Sequence, residues 1–136
     1  MRVVADTNSV VSAFLWGGLP VQVLSAAREK RISLFASAAL IAELEVVLRR
    51  EKFAARIASV ASSADELVLG YRALVSIVRA TAIAPISRDP DDDRVLACAL
   101  AAEANFIVSG DGDLLSLGDF RGIRILTARE ALAVIA

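Results

Sequence analysis

Six aspartates crowd the segment Arg88–Leu115: Asp89, Asp91, Asp92 and Asp93 precede an apolar run, and Asp111 and Asp113 follow it. If that run is a helix followed by a parallel strand, both acidic ends return to the same edge of a sheet. Carboxylates gathered there repel one another and raise one another's pKa values unless a cation or a basic partner neutralises them. The plainer reading splits the set. Asp89 to Asp93 then serve as a solvated helix start beside Pro90, which suits the first helical turn, and Asp111-Gly112-Asp113 is only a turn. A further carboxylate, Asp6, closes the apolar run Arg2–Ala5 and is followed by Thr7-Asn8-Ser9, short polar residues able to cap a helix. As the residue just beyond a strand, Asp6 also stands where open α/β sheets bind ligands.

Composition removes most other chemistries. The 136-residue chain has no His, so it holds no imidazole base, no Ser-His-Asp triad and no His metal ligand. Its single cysteine, Cys98, excludes disulfides within the chain and thiolate zinc sites. Carboxylates, hydroxyls, Lys and Arg are left, and carboxylate oxygens without nitrogen or sulfur ligands suit Mg2+ or Mn2+. With 57% hydrophobic residues but only five Phe, one Trp and one Tyr, the core is expected to be aliphatic, and the length suits a single domain over residues 1–136. A lone thiol, no signal-like start and no 18-residue apolar run lead to the expectation of a cytoplasmic protein without a membrane segment.

The elements that must position the acids follow in order. Arg2–Ala5 reads as a strand covered on both faces, and Val10–Leu15 as part of the next helix. Trp16-Gly17-Gly18 interrupts that helix, and Leu19-Pro20 opens another that ends in the charged Arg28-Glu29-Lys30-Arg31. Ile32–Ala36 is a second strand, with Ser37 as the cap of a helix over Ala38–Arg50. Ser63-Ala64-Asp65-Glu66 is a capping-box pattern for a helix through about Val78, and Ala82–Ile86 reads as a short strand. A helix from Asp89-Pro90 to Ala104, a buried strand Asn105–Ser109 and a last strand Ile123–Leu126 follow. Thr127-Ala128-Arg129-Glu130 is a second capping box for a terminal helix. Strands alternating with helices over short links predict a parallel α/β sheet.

In the helix over Ala38–Arg50 the apolar face is Leu40, Ile41, Leu44, Val47 and Leu48, and Glu43 and Glu45 flank it. They lie about 160° apart around the axis, so only one can point into a given site, and periodicity does not choose between them. The basic run Arg49, Arg50, Lys52 and Arg56, with Phe53 inside it, is either a solvated face or a nucleic-acid patch, and on its own such a run is more often the former.

Asp6-Thr7-Asn8, Glu43-Leu44 after Ser37, Asp89-Pro90-Asp91-Asp92-Asp93 and Ser109-Gly110-Asp111-Gly112-Asp113-Leu114 together resemble a PIN domain over nearly the whole chain. The nearest group is the VapC-like PIN proteins regarded as toxins of toxin–antitoxin systems. The resemblance implies a three-layer α/β/α fold with a five-stranded parallel sheet and a Mg2+- or Mn2+-dependent ribonuclease site. It also implies an RNA substrate, a cognate antitoxin protein and a homo-oligomer, expected to be a dimer. Carried over by residue, the acids are Asp6, Glu43, Asp92 or Asp93, and Asp111 with Asp113 beside it. Relatives commonly have Asn at the position of Asp93, which favours Asp92, and many have Thr where this chain has Ser109.

On that reading Asp6 and Asp111 are the principal metal ligands. Asp92 or Asp93 and Asp113 act directly or through water, Glu43 is a ligand or orients the attacking water, and Asn8 and Ser109 support the ligands. Two other classes stay open at this point. A PIN-like module that binds RNA or a protein without cleaving would keep the fold. A receiver-like phosphoacceptor would need a lysine at the end of a late strand, and the only lysines are Lys30 and Lys52.

Overall fold

The computed structural model describes residues 1–136. Its elements are β1 (Arg2–Ala5), α1 (Thr7–Leu15), α2 (Gly18–Arg28), β2 (Ser33–Ala36), α3 (Ala38–Leu48), a single 3-10 turn (Glu51–Phe53), α4 (Ala54–Ser59), α5 (Ala64–Leu74) and β3 (Ser76–Ile77). The second half adds α6 (Pro90–Ala102), β4 (Phe106–Val108), α7 (Gly112–Leu117), β5 (Asp119–Phe120), β6 (Ile123–Leu126) and α8 (Ala128–Ile135).

The strands lie in the order β3-β2-β1-β4-β6-β5. The first five of these are parallel, and β5 adds a short antiparallel edge. The sheet therefore has six strands where five were expected. The extra one closes a two-residue hairpin on β6, in which Arg121 and Gly122 take φ of 51° and 84°. Positive φ at both central residues is what a hairpin turn matching the strand twist requires.

Side-chain alternation along the strands divides the core into two layers. Val3, Ala5, Phe106 and Val108 pack with α1, α2, α3, α5 and α8. Val4, Ile107 and Ile125 point the other way, onto α6 and α7 through Val95, Leu96, Ala99 and Leu114. The fold is thus the expected three-layer α/β/α arrangement. Between α1 and α2 the chain turns by 99° at Gly17 and Gly18, both at positive φ. No single helix is long and apolar enough to cross a membrane.

Two expected elements differ. The helix opened by Ser63 ends at Leu74 rather than near Val78, because the run Val75-Ser76-Ile77-Val78 is drawn into the sheet edge beside β2, with the Val78 N–H donating to the Ala36 carbonyl at 2.8 Å. β-Branched residues gain more on a pleated surface than in a helix. With the edge position taken, Ala82–Ile86 forms no strand and runs as loop toward the acidic cluster. At the start of α5 only half of the expected capping box forms: Ser63 Oγ accepts from the Glu66 N–H, while the Glu66 carboxylate takes the Ser62 hydroxyl. The box at Thr127 and Glu130 is complete in both directions.

Candidate metal centre

In this sheet the chain leaves β1 toward β2 on one side and β4 toward β6 on the other, so β1 and β4 flank a topological switch point. A crevice opens beyond the carboxyl ends of two such strands. Asp6 is the residue after β1, and Ser109 the residue after β4. Their backbones continue the ladder, Asp6 N–H to Val108 O at 3.0 Å and Ser109 N–H to Leu126 O at 2.9 Å.

The side chains meet across the crevice. Ser109, 1% exposed, donates its hydroxyl to Asp6 Oδ2 at 2.5 Å and accepts the Asp111 N–H at 2.9 Å. One buried hydroxyl therefore orders both acids. Asp6 Oδ1 accepts from the Ser9 N–H at 2.9 Å, and Asp111 Oδ2 from the Leu114 N–H at 3.0 Å, so the two acids also cap α1 and α7. Capping and site membership are compatible because a carboxylate has two oxygens and several lone pairs. The N-terminus of α1, and that of α6 capped by Asp89, both face this pocket. Their dipoles offset part of the carboxylate repulsion.

Glu43 reaches the pocket from α3, where its Oε2 accepts the Thr7 hydroxyl at 2.8 Å. Burial pushes its carboxyl above the usual range; the Thr7 hydrogen bond pulls the other way, and the charge of Asp91 adds to the rise. Glu45 instead pairs with Arg49 at 3.2 Å on the exposed side of the helix.

The acidic run before α6 is divided between two tasks. Asp92 is 9% exposed and lines the pocket with Asp6, Glu43, Asp89, Asp91 and Asp111. Burial pushes its carboxyl up to about 6, against a lowering hydrogen bond from Ser87 Oγ at 3.0 Å and with a further rise from Asp111. Asp93 turns away from the pocket: its Oδ1 accepts the N–H groups of Ile86 and Ser87 at 3.1 and 2.9 Å and ties the preceding loop to the helix. Asp113 is exposed, 3.9 Å from Arg88, but it can bring an oxygen within 4.8 Å of oxygens from Asp92 and Asp111. Asn8 lies exposed on the rim.

Thr7 and Ser87 are the residues that sequence reasoning did not single out as parts of the site. Each holds a carboxylate, but the partner of Thr7 lies 36 residues away, and Ser87 falls in the short link between the expected strand Ala82–Ile86 and the helix, where nothing marks it as a donor to Asp92. No local spacing signals either contact.

The donor set fits a hard divalent cation. Three carboxylates converge with no nitrogen or sulfur donor among them, and burial and the like charge of Asp111 push the Asp92 carboxyl up to about 6, a cost that a bound cation would relieve. Asp92 binds its proton more tightly in the native state than in the unfolded chain, where it titrates near the ordinary value of about 3.9. Its contribution to stability is therefore complete below that ordinary value and is lost as pH rises through about 6. In EDTA, Asp92→Asn should melt above wild type at pH 7, by about 3 °C for relief on the order of 1 kcal/mol, and the difference should shrink at pH 5. A variant melting lower than wild type at pH 7 would make Asp92 a structural anchor instead.

No curated protein matches the chain closely enough to be informative. Among solved structures it is similar to VapBC2 from Rickettsia felis bound to a DNA fragment from their promoter, with a TM-score of 0.63 at 14% identity, over 92% of this chain and 97% of that one. It is also similar to the T. brucei RRP44 PIN domain, with a TM-score of 0.48 at 18% identity, over 98% of this chain and 79% of that one. At these identities the likeness to the Rickettsia structure speaks for a shared fold. A PIN-domain family model matches residues 2–113, from β1 into the first turn of α7 with Asp111 and Asp113, so the chain belongs to the PIN-domain family.

Proposed function

We propose that this protein is a Mg2+- or Mn2+-dependent endoribonuclease acting as the toxin of a toxin–antitoxin pair. PIN domains are generally nucleases, and this chain carries an acidic cluster on that fold. The observation that carries the metal-dependent reading is the convergence of Asp92, Asp111 and Asp113 oxygens within 4.8 Å, beside Asp6 and Glu43, at the switch point of the sheet.

Asp6, Asp92, Asp111 and Asp113 would hold the ion, with Asp6 and Asp111 aligned by the Ser109 hydroxyl and Asp92 by that of Ser87. A divalent ion bound there supplies positive charge to the phosphodiester and acidifies the attacking water. Glu43, held by Thr7 with its carboxyl already raised, is placed to orient that water and take its proton. Asp93 acts on the loop rather than on the ion. The likeness to VapBC2 supports a protein antitoxin as partner; a homodimer and a cytoplasmic location belong to the same reading.

Purified protein stripped with EDTA should leave a mixed RNA pool intact, and adding Mn2+ or Mg2+ should restore cleavage. Equal cleavage in EDTA would refute the metal-dependent reading, and ion binding without cleavage would favour a non-cleaving RNA- or protein-binding module. For the toxin role, expression should arrest growth, and Asp6→Asn should relieve the arrest.

A further inference from the structure

The acidic pocket is small, about 60 Å3, and cannot enclose a nucleotide. A groove of about 880 Å3 adjoins it, with Asn8 and Asp111 lining both. That volume is in the range of small-molecule sites. The groove runs between α1 and the start of α8, and only three of its 14 lining residues are hydrophobic.

Along one wall, Asn8, Ser9 and Ser12 form a polar stripe on α1, at i, i+1 and i+4, while Val10, Val11, Ala13 and Leu15 of the same helix are buried. None of these three side chains spends a hydrogen bond on the rest of the protein, whereas Thr7 beside them does. Arg129 stands on the opposite wall, exposed and without an acidic partner. A helix face of this kind adds nothing to the core, and an unpaired guanidinium in a groove whose acids are Asp111 and Glu130 is the group there that can meet an anion the carboxylates repel.

A second groove, on the α3 side, shares Glu43 and Asp91 with the acidic pocket. Its floor is aliphatic, from Ala39, Ala42 and Val46, and one of its two arginines, Arg94, is hydrogen-bonded to Asp91 at 2.5 Å. It offers fewer free polar groups to a nucleotide.

We propose that the α1–α8 groove is a nucleotide subsite of the acidic centre: an unpaired nucleotide next to the scissile phosphate lies against Asn8 and Ser12, and its phosphate is held by Arg129. This inference rests on the nuclease reading. Hydroxyl and amide groups in such a groove read base edges and sugar hydroxyls, while arginine supplies sequence-independent affinity.

The test uses a fluorescent single-stranded RNA of about a dozen nucleotides with Mg2+, read by anisotropy and by cleavage kinetics. Arg129→Ala should raise Kd and KM about tenfold with kcat unchanged, and should lower the slope of log K against log salt by about one, the mark of a lost phosphate contact. Ser12→Leu, which fills the groove, should shift the preferred cleavage step. Arg72→Ala, on the exposed side of α5, serves as the control. Wild-type cleavage with both groove variants unchanged overturns the subsite and leaves the nuclease reading standing. A large effect of Arg50→Ala in place of Arg129→Ala also overturns it, by moving the strand to the α3 side. Binding without cleavage, weakened by the groove variants, keeps the groove as a nucleotide-binding site but rejects the nuclease reading and, with it, a place beside a scissile phosphate. Neither binding nor cleavage by wild type rejects both.

Discussion

Asp6→Asn should abolish RNA cleavage, by at least about a hundredfold, the upper end of what losing a partner around a metal site costs. The fold should survive. Asn is as good a helix cap as Asp, so the bond from the Ser9 N–H persists through the amide oxygen. The loss falls on Oδ2, the oxygen that takes the Ser109 hydroxyl at 2.5 Å: an amide nitrogen there has no lone pair for the hydroxyl or for a cation. Asp111→Asn should behave alike, since the cap to the Leu114 N–H can also be kept by the amide oxygen. The checks are single-turnover cleavage of a labelled RNA with Mn2+ and a thermal melt of each variant. Inactive variants that melt within a few degrees of wild type fit the proposal. Full activity in both would remove these residues from the chemistry, and inactivity with a collapsed melting temperature would make them structural caps alone.

Much of this was legible in the sequence because the signals were local. The apolar runs at β1 and β4 and the acids that follow them give both the parallel sheet and the placing of the acids beyond strand ends, since a strand covered on both faces reads as an unbroken hydrophobic stretch, whereas the switch point needs the strand order. Thr127 and Glu130 give α8 by capping alone. What failed was decided by competition at longer range. Val75–Val78 has enough apolar character to extend a helix, and only the vacant edge of β2 turns it into strand. The two-residue β5 has no pattern of its own and exists because of the Arg121-Gly122 turn and its pairing with β6. In the site, spacing could gather the carboxylates but not orient them. Asp92 and Asp93 are adjacent on one helix turn, and which of them faces the pocket depends on the loop whose N–H groups capture Asp93. Thr7 is the same kind of case, since a capping-type residue read locally turns out to serve a glutamate on another helix.

Glu43→Gln should lower cleavage by at least about tenfold, whereas Glu45→Gln should leave it within about twofold. The two glutamates are separated by a single residue, so composition, helix propensity and distance along the chain are matched, and only direction around α3 differs. Glu43 is turned into the pocket shared with Asp6, Asp92 and Asp111, and Glu45 onto the surface ion pair with Arg49. Such an exposed pair contributes at most about 1 kcal/mol, so its loss should cost little stability and no activity. Gln at 43 can still accept the Thr7 hydroxyl through its amide oxygen, so packing and helix position are preserved. What disappears is the ionisable group, whose pKa is raised by burial, against the Thr7 hydrogen bond and with the charge of Asp91, and with it the capacity to take a proton from the water. If Glu43 is that base, the defect should appear mainly in kcat, and Thr7→Val should give a smaller loss, because the carboxylate remains but its orientation is freed. Equal and small effects at 43 and 45 would place Glu43 outside the chemistry and favour a PIN fold that binds without cleaving. A larger effect at 45 would mean that α3 presents its other face to the substrate, contrary to the contact between Glu43 and Thr7.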